Sequence, residues 1–461
     1  MIPLSLAAVA EITAAVPGPG TDTSAMAGSV VIDSRQAGPG ALFVALPGEH
    51  VDGHDFAAAA VGRGAVAVLA SRPVGVPALI TPDVPGALAA LARAVAAALP
   101  GLTIAGITGS VGKTTTKDLA AQLIERLGPT VAPYGSFNNE IGHPLTVLRV
   151  TAETRYLVLE LSARKAGDIE ALCRIAPPRL GAVLCVGHAH TGEFGGLEAV
   201  ARAKGELPAA LPPDGVALLN ADDPRVLAMA GRTAARVVTF GVHAQATVRA
   251  VGVTLDDRAR AGFTLATPQG SAPVRLRLLG AHNVVNALAA AALAGELGLN
   301  VADAAGVLSA AAPRSKWRME VTERPDGVTV INDAYNANPE AMAAALETLT
   351  AVARGRRAFA VLGPMNELGG ESRQRHEEAG GLAARAGLAG LIVVGEDAAP
   401  MLAGAKAERS WHGELIGVPD VGSALAALGN LLGPGDVVLV KASRAAGLER
   451  VALALTGEAA Q

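Results

Sequence analysis

The run GITGSVGKTTTKDL, Gly106 to Leu119, constrains this chain more than any other stretch. An apolar piece, LTIA, precedes it, and a helix-like segment, KDLAAQLIERLG, follows it. A strand, a glycine-rich turn and a helix in that order point backbone N–H groups at an oxyanion, at the carboxyl end of a parallel sheet strand. Thr108, Gly109, Ser110, Val111 and Gly112 make the turn, Lys113 reaches the terminal phosphates, and the Thr114 hydroxyl, with Thr115 beside it, suits Mg²⁺. The common pattern G-x-x-x-x-G-K-[ST] asks for glycine where this chain has Ile107. Such a loop specifies a nucleotide and leaves the reaction open, since motors, kinases, switches and ligases all use one.

The rest of the chain repeats the same alternation. SVVIDSR, ALFVAL, AVAVLAS and ALITP read as strands, with DFAAAAVGRG and GALAALARAVAAAL as helices. Pro100-Gly101 closes this first unit. From about Leu102 to Ala312 the phosphate loop is followed by strands in RYLVLELS, LGAVLCVG and GVALLNAD, and by a long alanine-rich helix, NVVNALAAAALAGELG. After APRSKW the alternation restarts in GVTVINDAY, RAFAVLG, GLIVVG and DVVLVKAS. At 461 residues the chain exceeds what one core fills. Three α/β domains are therefore predicted, at 1–100, 101–313 and 314–461.

Bulk properties exclude other classes. A net charge of -4 gives no basic field for nucleic acid. Alanine is the largest single contributor to the 51% hydrophobic content, and no stretch reaches the ~18 continuous apolar residues of a spanning helix. The opening MIPLSLAAVAEITAAV lacks a basic n-region and carries Glu11, so it reads as a structural helix. Cys173 and Cys185 read as buried thiols, and a cytoplasmic location is expected.

Metal chemistry is suggested at three further places. Glu160 ends the apolar strand of LVLELSARKAGDI, and His188 and His190 follow another strand in AVLCVGHAHTGEFGG. Carboxyl ends of parallel strands gather at one crevice, so these groups converge on the loop's Mg²⁺. Lys204 stands out for another reason: the chain has 38 Lys+Arg, of which only seven are lysine. Arginine holds its proton, whereas a neutral lysine amine reacts with CO₂ to a carbamate, which is a metal-binding carboxylate.

With these residues in place, a family resemblance becomes visible. GITGSVGKTTTK, FNNEIGHPLT, LELSA, VGHAHTGEFGGLEAVARAKGEL, LNADDPRV, GAHNVVNALAA, INDAYNANPEAM and VLVKASR recur in one order that resembles the Mur ligases, the ATP-dependent amide-forming enzymes of peptidoglycan synthesis. IDSRQAGPGALFVALPGEHVDGHDF is similar to that family's amino-terminal nucleotide-sugar domain. Ile107 is then expected, because the family loop runs G-x-x-G-x-x-G-K-T through Gly106, Gly109 and Gly112.

DAYNANP together with NNEIG resembles the branch that adds D-alanyl-D-alanine to UDP-N-acetylmuramoyl-tripeptide. The resemblance implies three domains: a UDP-substrate domain, a P-loop ATPase-like domain with a mostly parallel sheet, and a Rossmann-like domain. It implies an acyl phosphate made from ATP, captured by the dipeptide amine through a tetrahedral intermediate. Lys113, Glu160, His190 and Lys204 would be catalytic. One Mg²⁺ would lie on Thr114 and Glu160, and a second on His190 and carbamylated Lys204. His282, Asn283 and Asn286 would lie near the base, Arg318 and Asp333 on ATP, Asn336 and Asn338 on the peptide substrates, Ser34 and Arg35 on the UDP end, and Asn138 and Asn139 on the muramoyl peptide. A monomer without nucleic acid or membrane insertion is expected.

Pro364, Ala442 and Gly447 depart from the family's usual residues and put local contacts of the third domain in doubt. The alternatives are a sister ligase or a folylpolyglutamate-type ligase with another acceptor, and, more distantly, a P-loop motor or switch. No aspartate-ended Walker B strand or basic track supports the last.

Overall fold

The computed structural model describes residues 1–48, 51–188 and 191–458. Its strands fall into three large sheets and one small ribbon. The first large sheet has five strands, ordered Val16–Pro17, Ala78–Ile80, Ala65–Ala70, Ala41–Val44 and Ser29–Val31, parallel except at the Val16–Pro17 edge. In the ribbon, Leu4–Ser5 pairs with Met26–Ala27, ahead of the predicted opening helix, Leu6–Thr13.

The nine-stranded central sheet has the phosphate-loop strand, Thr103–Thr108, between Leu180–Val183 and Tyr156–Glu160. These strands are almost wholly apolar and buried because helices cover both faces, so no polar alternation is needed. The carboxyl ends of all three strands therefore open on the same crevice. One departure from the expected alternation lies beyond Arg236–Gly241. Val248–Leu255, Arg260–Thr267 and Gly270–Leu279 form an antiparallel meander that extends the sheet edge. Residues on one face of Arg260–Thr267 are buried and those on the other are more exposed, the period-two pattern of a half-solvated sheet.

The alanine-rich helix Asn283–Glu296 lies against the phosphate-loop helix, Lys113–Ile124. Its run of alanines is buried and lets the two backbones approach, while Leu288 and Leu293 are completely buried. Truncating either leucine would cost ~2–5 kcal/mol through lost burial and a residual cavity.

The third sheet, of six strands, runs Glu320–Glu323, Thr329–Asn332, Val437–Lys441, Ala358–Leu362, Gly390–Val394 and Glu414–Val418. Only the first pair is antiparallel. Gly447, one of the three departures, adopts φ +63, a conformation glycine takes without strain. Ala442 is buried against Gly363, where a Cβ on residue 363 would lie 2.8 Å from the Ala442 Cβ.

The units are joined in different ways. One apolar cluster runs from Leu6, Leu42 and Leu88 of the first unit to Leu157 and Leu172 of the second. The third unit follows a linker gripped by one face of the phosphate-loop helix. Asp118 Oδ2 accepts from the Ser315 N–H at 2.9 Å, Gln122 Nε2 donates to the Ala312 carbonyl at 3.1 Å, and Arg314 pairs with Glu125 through both nitrogens at 2.5 and 2.6 Å. Buried Lys117 adds bonds to Asp118, to the Pro133 carbonyl at 3.0 Å and to Ser315 Oγ at 3.3 Å.

Candidate active site

A cleft of about 560 Å³ opens where the second and third units face each other. Its floor is the phosphate loop. Gly112 begins the helix at φ +84, and a Cβ there would sit 2.3 Å from Asn286 Oδ1, so only glycine fits both the backbone and the neighbour. Lys113 Nζ donates to the Gly109 carbonyl at 2.7 Å, folding the side chain back over the loop. Desolvation, and secondarily the Arg318 charge, push its pKa down, while Glu160 opposes the shift. Ser110 Oγ donates to the Gly187 carbonyl at 3.1 Å and accepts from its N–H at 2.8 Å, tying the loop to the segment after Leu180–Val183. Thr108 is buried and bonds the Leu161 carbonyl at 2.9 Å; neither it nor Gly109 is among the cleft-lining residues, whereas Ser110 to Thr115 are.

Glu160 reaches the same floor from the neighbouring strand. Its Oε2 accepts from Thr114 Oγ1 at 2.9 Å and its Oε1 from Asn138 Nδ2 at 2.7 Å. A hydroxyl and a carboxylate side by side form an oxygen donor set of the kind Mg²⁺ takes. Asn139 also lines the cleft, and its Oδ1 accepts from the Gly142 N–H at 2.9 Å at the start of the next helix.

Lys204 ends the helix Leu197–Lys204, and its side chain forms no hydrogen bond among the described residues. Burial, and then the charge of Lys113, push its pKa down to about 7. It is therefore a buried amine that loses its proton at neutral pH. His190 lies outside the described residues. His188 is hydrogen-bonded, as a structural histidine should be, but across the cleft: its N–H and Nδ1 meet Glu340 Oε1 at 2.8 and 2.6 Å. No cluster of three or more His, Cys, Asp or Glu suited to a metal occurs among the described residues.

The remaining expected residues divide between cleft and scaffold. Asn283 and Asn286 line the cleft and bond each other at 2.8 Å, and Thr116 Oγ1 donates to Asn286 at 3.3 Å. Asn283 does not cap its helix; its Nδ2 donates to the Leu279 carbonyl at 2.7 Å. His282 lies beside them, its pKa lowered chiefly by burial.

From the third unit come Arg318, stacked 4.4 Å from the Tyr335 ring centroid, and Asp333, Asn336 and Asn338. Asn338 Oδ1 caps the helix Pro339–Ala353 by accepting from the Ala341 N–H at 2.8 Å. Ser34 and Arg35 are elsewhere, in a 3-10 turn of the first unit; Ser34 is buried, and exposed Arg35 pairs with Asp33 at 2.8 Å. Cys173 is buried, and its thiol is pushed up to about 12. Cys185 differs from the buried thiol expected, since it is only partly buried and lines the cleft.

Several cleft residues had no assigned role in the sequence. Lys441, Tyr335, Glu340 and Glu367 all line it, and Tyr335 Oη bonds Ser136 across the gap. The scarcity of lysine was the available signal for Lys441: like Lys117 and Lys204, it is buried.

Family models match all three units. A "Mur ligase family, catalytic domain" model matches 28–106, a "Mur ligase middle domain" 107–294 and a "Mur ligase, glutamate ligase domain" 317–444. The UDP-N-acetylmuramoyl-tripeptide--D-alanyl-D-alanine ligase of Mycobacterium tuberculosis is 50% identical over 99% of this chain and 98% of its own. The chain belongs to the Mur ligase family. The Escherichia coli ligase of the same description is 36% identical to this Mur ligase over 93% of each chain. Among solved structures, MurF from Acinetobacter baumannii superposes with a TM-score of 0.88 at 32% identity, covering 99% of both chains. MurF from Thermotoga maritima in complex with ADP gives 0.78 at 30% identity, over 92% of this Mur ligase and 96% of that chain.

Proposed function

We propose that this protein is the ATP-dependent ligase that joins D-alanyl-D-alanine to UDP-N-acetylmuramoyl-tripeptide in peptidoglycan synthesis, releasing ADP and phosphate. The observation that carries the reading is one cleft in which the phosphate loop and Glu160 of the second unit face Arg318, Asp333 and the NANP turn of the third. The mycobacterial relative, half identical over the whole length, supports the same acceptor.

A carboxylate at neutral pH is a poor electrophile. Its oxygen attacks the γ-phosphorus of ATP, the bond to the β,γ-bridging oxygen breaks, and ADP leaves. The neutral amine of the dipeptide then attacks the acyl carbon of the acyl phosphate. A tetrahedral intermediate collapses with loss of phosphate, and the surplus nitrogen proton passes to solvent or phosphate. The loop N–H groups and Lys113 hold the triphosphate against the positive end of the helix. Arg318, stacked on Tyr335, supplies a second cation beside the linker to the third unit, and approach of that unit brings the NANP turn up to the same site.

Mg²⁺ on Thr114 and Glu160, and a second ion on His190 and a CO₂-derived carbamate of Lys204, would supply the neutralisation that lets two anions meet. The oxygen pair at 2.9 Å and the readily deprotonated Lys204 amine fit that chemistry. Asn283, Asn286 and His282 would flank the base, Asp333 the nucleotide, Asn336 and Asn338 the acceptor, Asn138 and Asn139 the muramoyl peptide, and Ser34 and Arg35 the UDP end. Domain boundaries near Pro100-Gly101 and Pro313 fit the three sheets. A monomer is the state proposed, with the described cleft residues all on one chain. No helix among the described residues is long and apolar enough to cross a membrane.

Phosphate release tests the reading. It should require ATP, the UDP-linked tripeptide and D-alanyl-D-alanine together, with the UDP-pentapeptide seen by mass spectrometry. Equal release from ATP alone, or a preference for a single amino acid as acceptor, would replace it with an ATPase or a sister ligase.

A further inference from the structure

Lys441 ends the strand Val437–Lys441, and its side chain is 2% exposed. The ammonium donates to Asp333 Oδ2 at 2.5 Å and to the Asn336 carbonyl at 2.8 Å. Asp333 Oδ1 in turn accepts from the Met319 N–H at 3.1 Å, and the Asp333 N–H donates to the Val440 carbonyl at 2.9 Å. One buried ion pair thus fixes two turns. The first is residues 317–319, where Trp317 and Met319 both hold left-handed backbones, at φ 58 and 55, on either side of Arg318. The second is the NANP turn, whose residue 336 carbonyl would otherwise face the cleft unpaired.

A non-glycine residue in the left-handed region costs of order 1 kcal/mol and persists only where its surroundings over-determine it. The Asp333 bond to the Met319 N–H supplies that hold at Met319, Glu320 Oε2 accepts from the Trp317 N–H at 2.8 Å, and Lys441 is what orients Asp333. We propose that Lys441 is a positioning residue that sets the nucleotide-facing turn of Arg318 and the acceptor-facing NANP turn together, through one ammonium group. The inference rests on the reaction proposed above. Arginine is a poor replacement, because its planar fork does not reproduce a point donor satisfying two acceptors in different planes.

The test is steady-state kinetics of Lys441→Met and Lys441→Arg with each of the three substrates varied. Loss of a charged hydrogen bond at each turn predicts that KM for ATP and KM for D-alanyl-D-alanine both rise by about tenfold or more in Lys441→Met. KM for the UDP-tripeptide should stay within about twofold, since Ser34, Arg35, Asn138 and Asn139, expected at its UDP and muramoyl ends, lie in the other units, and Lys441→Arg should fall between. Arg318→Ala, as comparator, should raise KM for ATP alone.

An unchanged dipeptide KM in Lys441→Met would overturn the proposal, as would an equal rise for all three substrates, which is the mark of general loosening. Should Lys441→Met fail to fold, Lys441→Arg carries the dipeptide arm, and Asp333→Asn, which keeps the side-chain shape, carries the ATP arm. Wild-type enzyme that does not couple the three substrates would sink the proposed reaction itself. An isothermal titration with a non-hydrolysable ATP analogue gives the nucleotide arm independently of turnover.

Discussion

Replacing Gly112 by alanine tests the phosphate loop most directly, because two costs can be worked separately. At φ +84 an alanine carries a left-handed penalty of roughly 1–2 kcal/mol. Its Cβ would also stand 2.3 Å from Asn286 Oδ1 and 3.3 Å from Leu184 Cδ1. The Asn286 amide must therefore move, which strains its 2.8 Å bond to Asn283 and its 3.3 Å bond from Thr116. At about 1 kcal/mol for the two together, the total is about 2–3 kcal/mol. Where the variant loop relaxes away from this conformation to relieve that strain, binding must restore it, so ATP affinity should drop by up to about 30- to 150-fold. Isothermal titration with a non-hydrolysable analogue measures this. Gly101→Ala is the control, since a Cβ there meets nothing within 4 Å and its φ is not left-handed. If Gly112→Ala binds the analogue within about threefold of wild type, the loop does not hold phosphate in the manner described.

Lys204→Ala should lose turnover on the order of a hundredfold, the worth of a charged contact of ~3 kcal/mol, with partial recovery by small carboxylic acids. Because its pKa is pushed down to about 7, the reactive neutral amine dominates above that pH. Activity at limiting bicarbonate should accordingly fall as pH drops below 7 and be restored by more bicarbonate. Lys113→Ala should abolish ATP consumption while shifting stability by no more than ~1 kcal/mol, since the side chain's one hydrogen bond among the described residues is to the Gly109 carbonyl. His143, completely buried, has its pKa pushed down to about 3 by desolvation. The unfolded chain therefore binds a proton that the folded one refuses, and stability falls from pH ~6.5 downward, by ~2 kcal/mol at pH 5. Denaturant melts of His143→Leu should show a shallower acid limb than wild type, and identical limbs would refute the assignment.

The phosphate loop and the strands around it were legible because motif and pattern agree: short β-branched and apolar runs such as YLVLE and VVLVK suit strands covered on both faces. The meander from Val248 to Leu279 was less so, since Gly252, Gly262 and Pro273 interrupt its alternation. Contacts between residues far apart in sequence left little trace. Ser136 with Tyr335 and His188 with Glu340 are joined only because two units meet. Asn138 was expected at the muramoyl peptide, and here it also holds Glu160; an asparagine carries no mark of which partner its amide will choose. The rarity of lysine singled out Lys204, and the same reasoning extends to Lys117 and Lys441, whose buried partners explain why a point charge serves there.

The grip of Asp118, Gln122 and Glu125 on residues 312–315 locates where the molecule can bend. That stretch travels with the helix that starts at the triphosphate, and the first two units are welded by shared leucines. A swing of the last unit must turn about the peptide links just after Ser315, next to the left-handed Trp317 and Met319. The axis then passes within a few residues of Arg318, so even a large rotation of the outer lobe would translate that guanidinium only slightly, as a door moves least beside its pin.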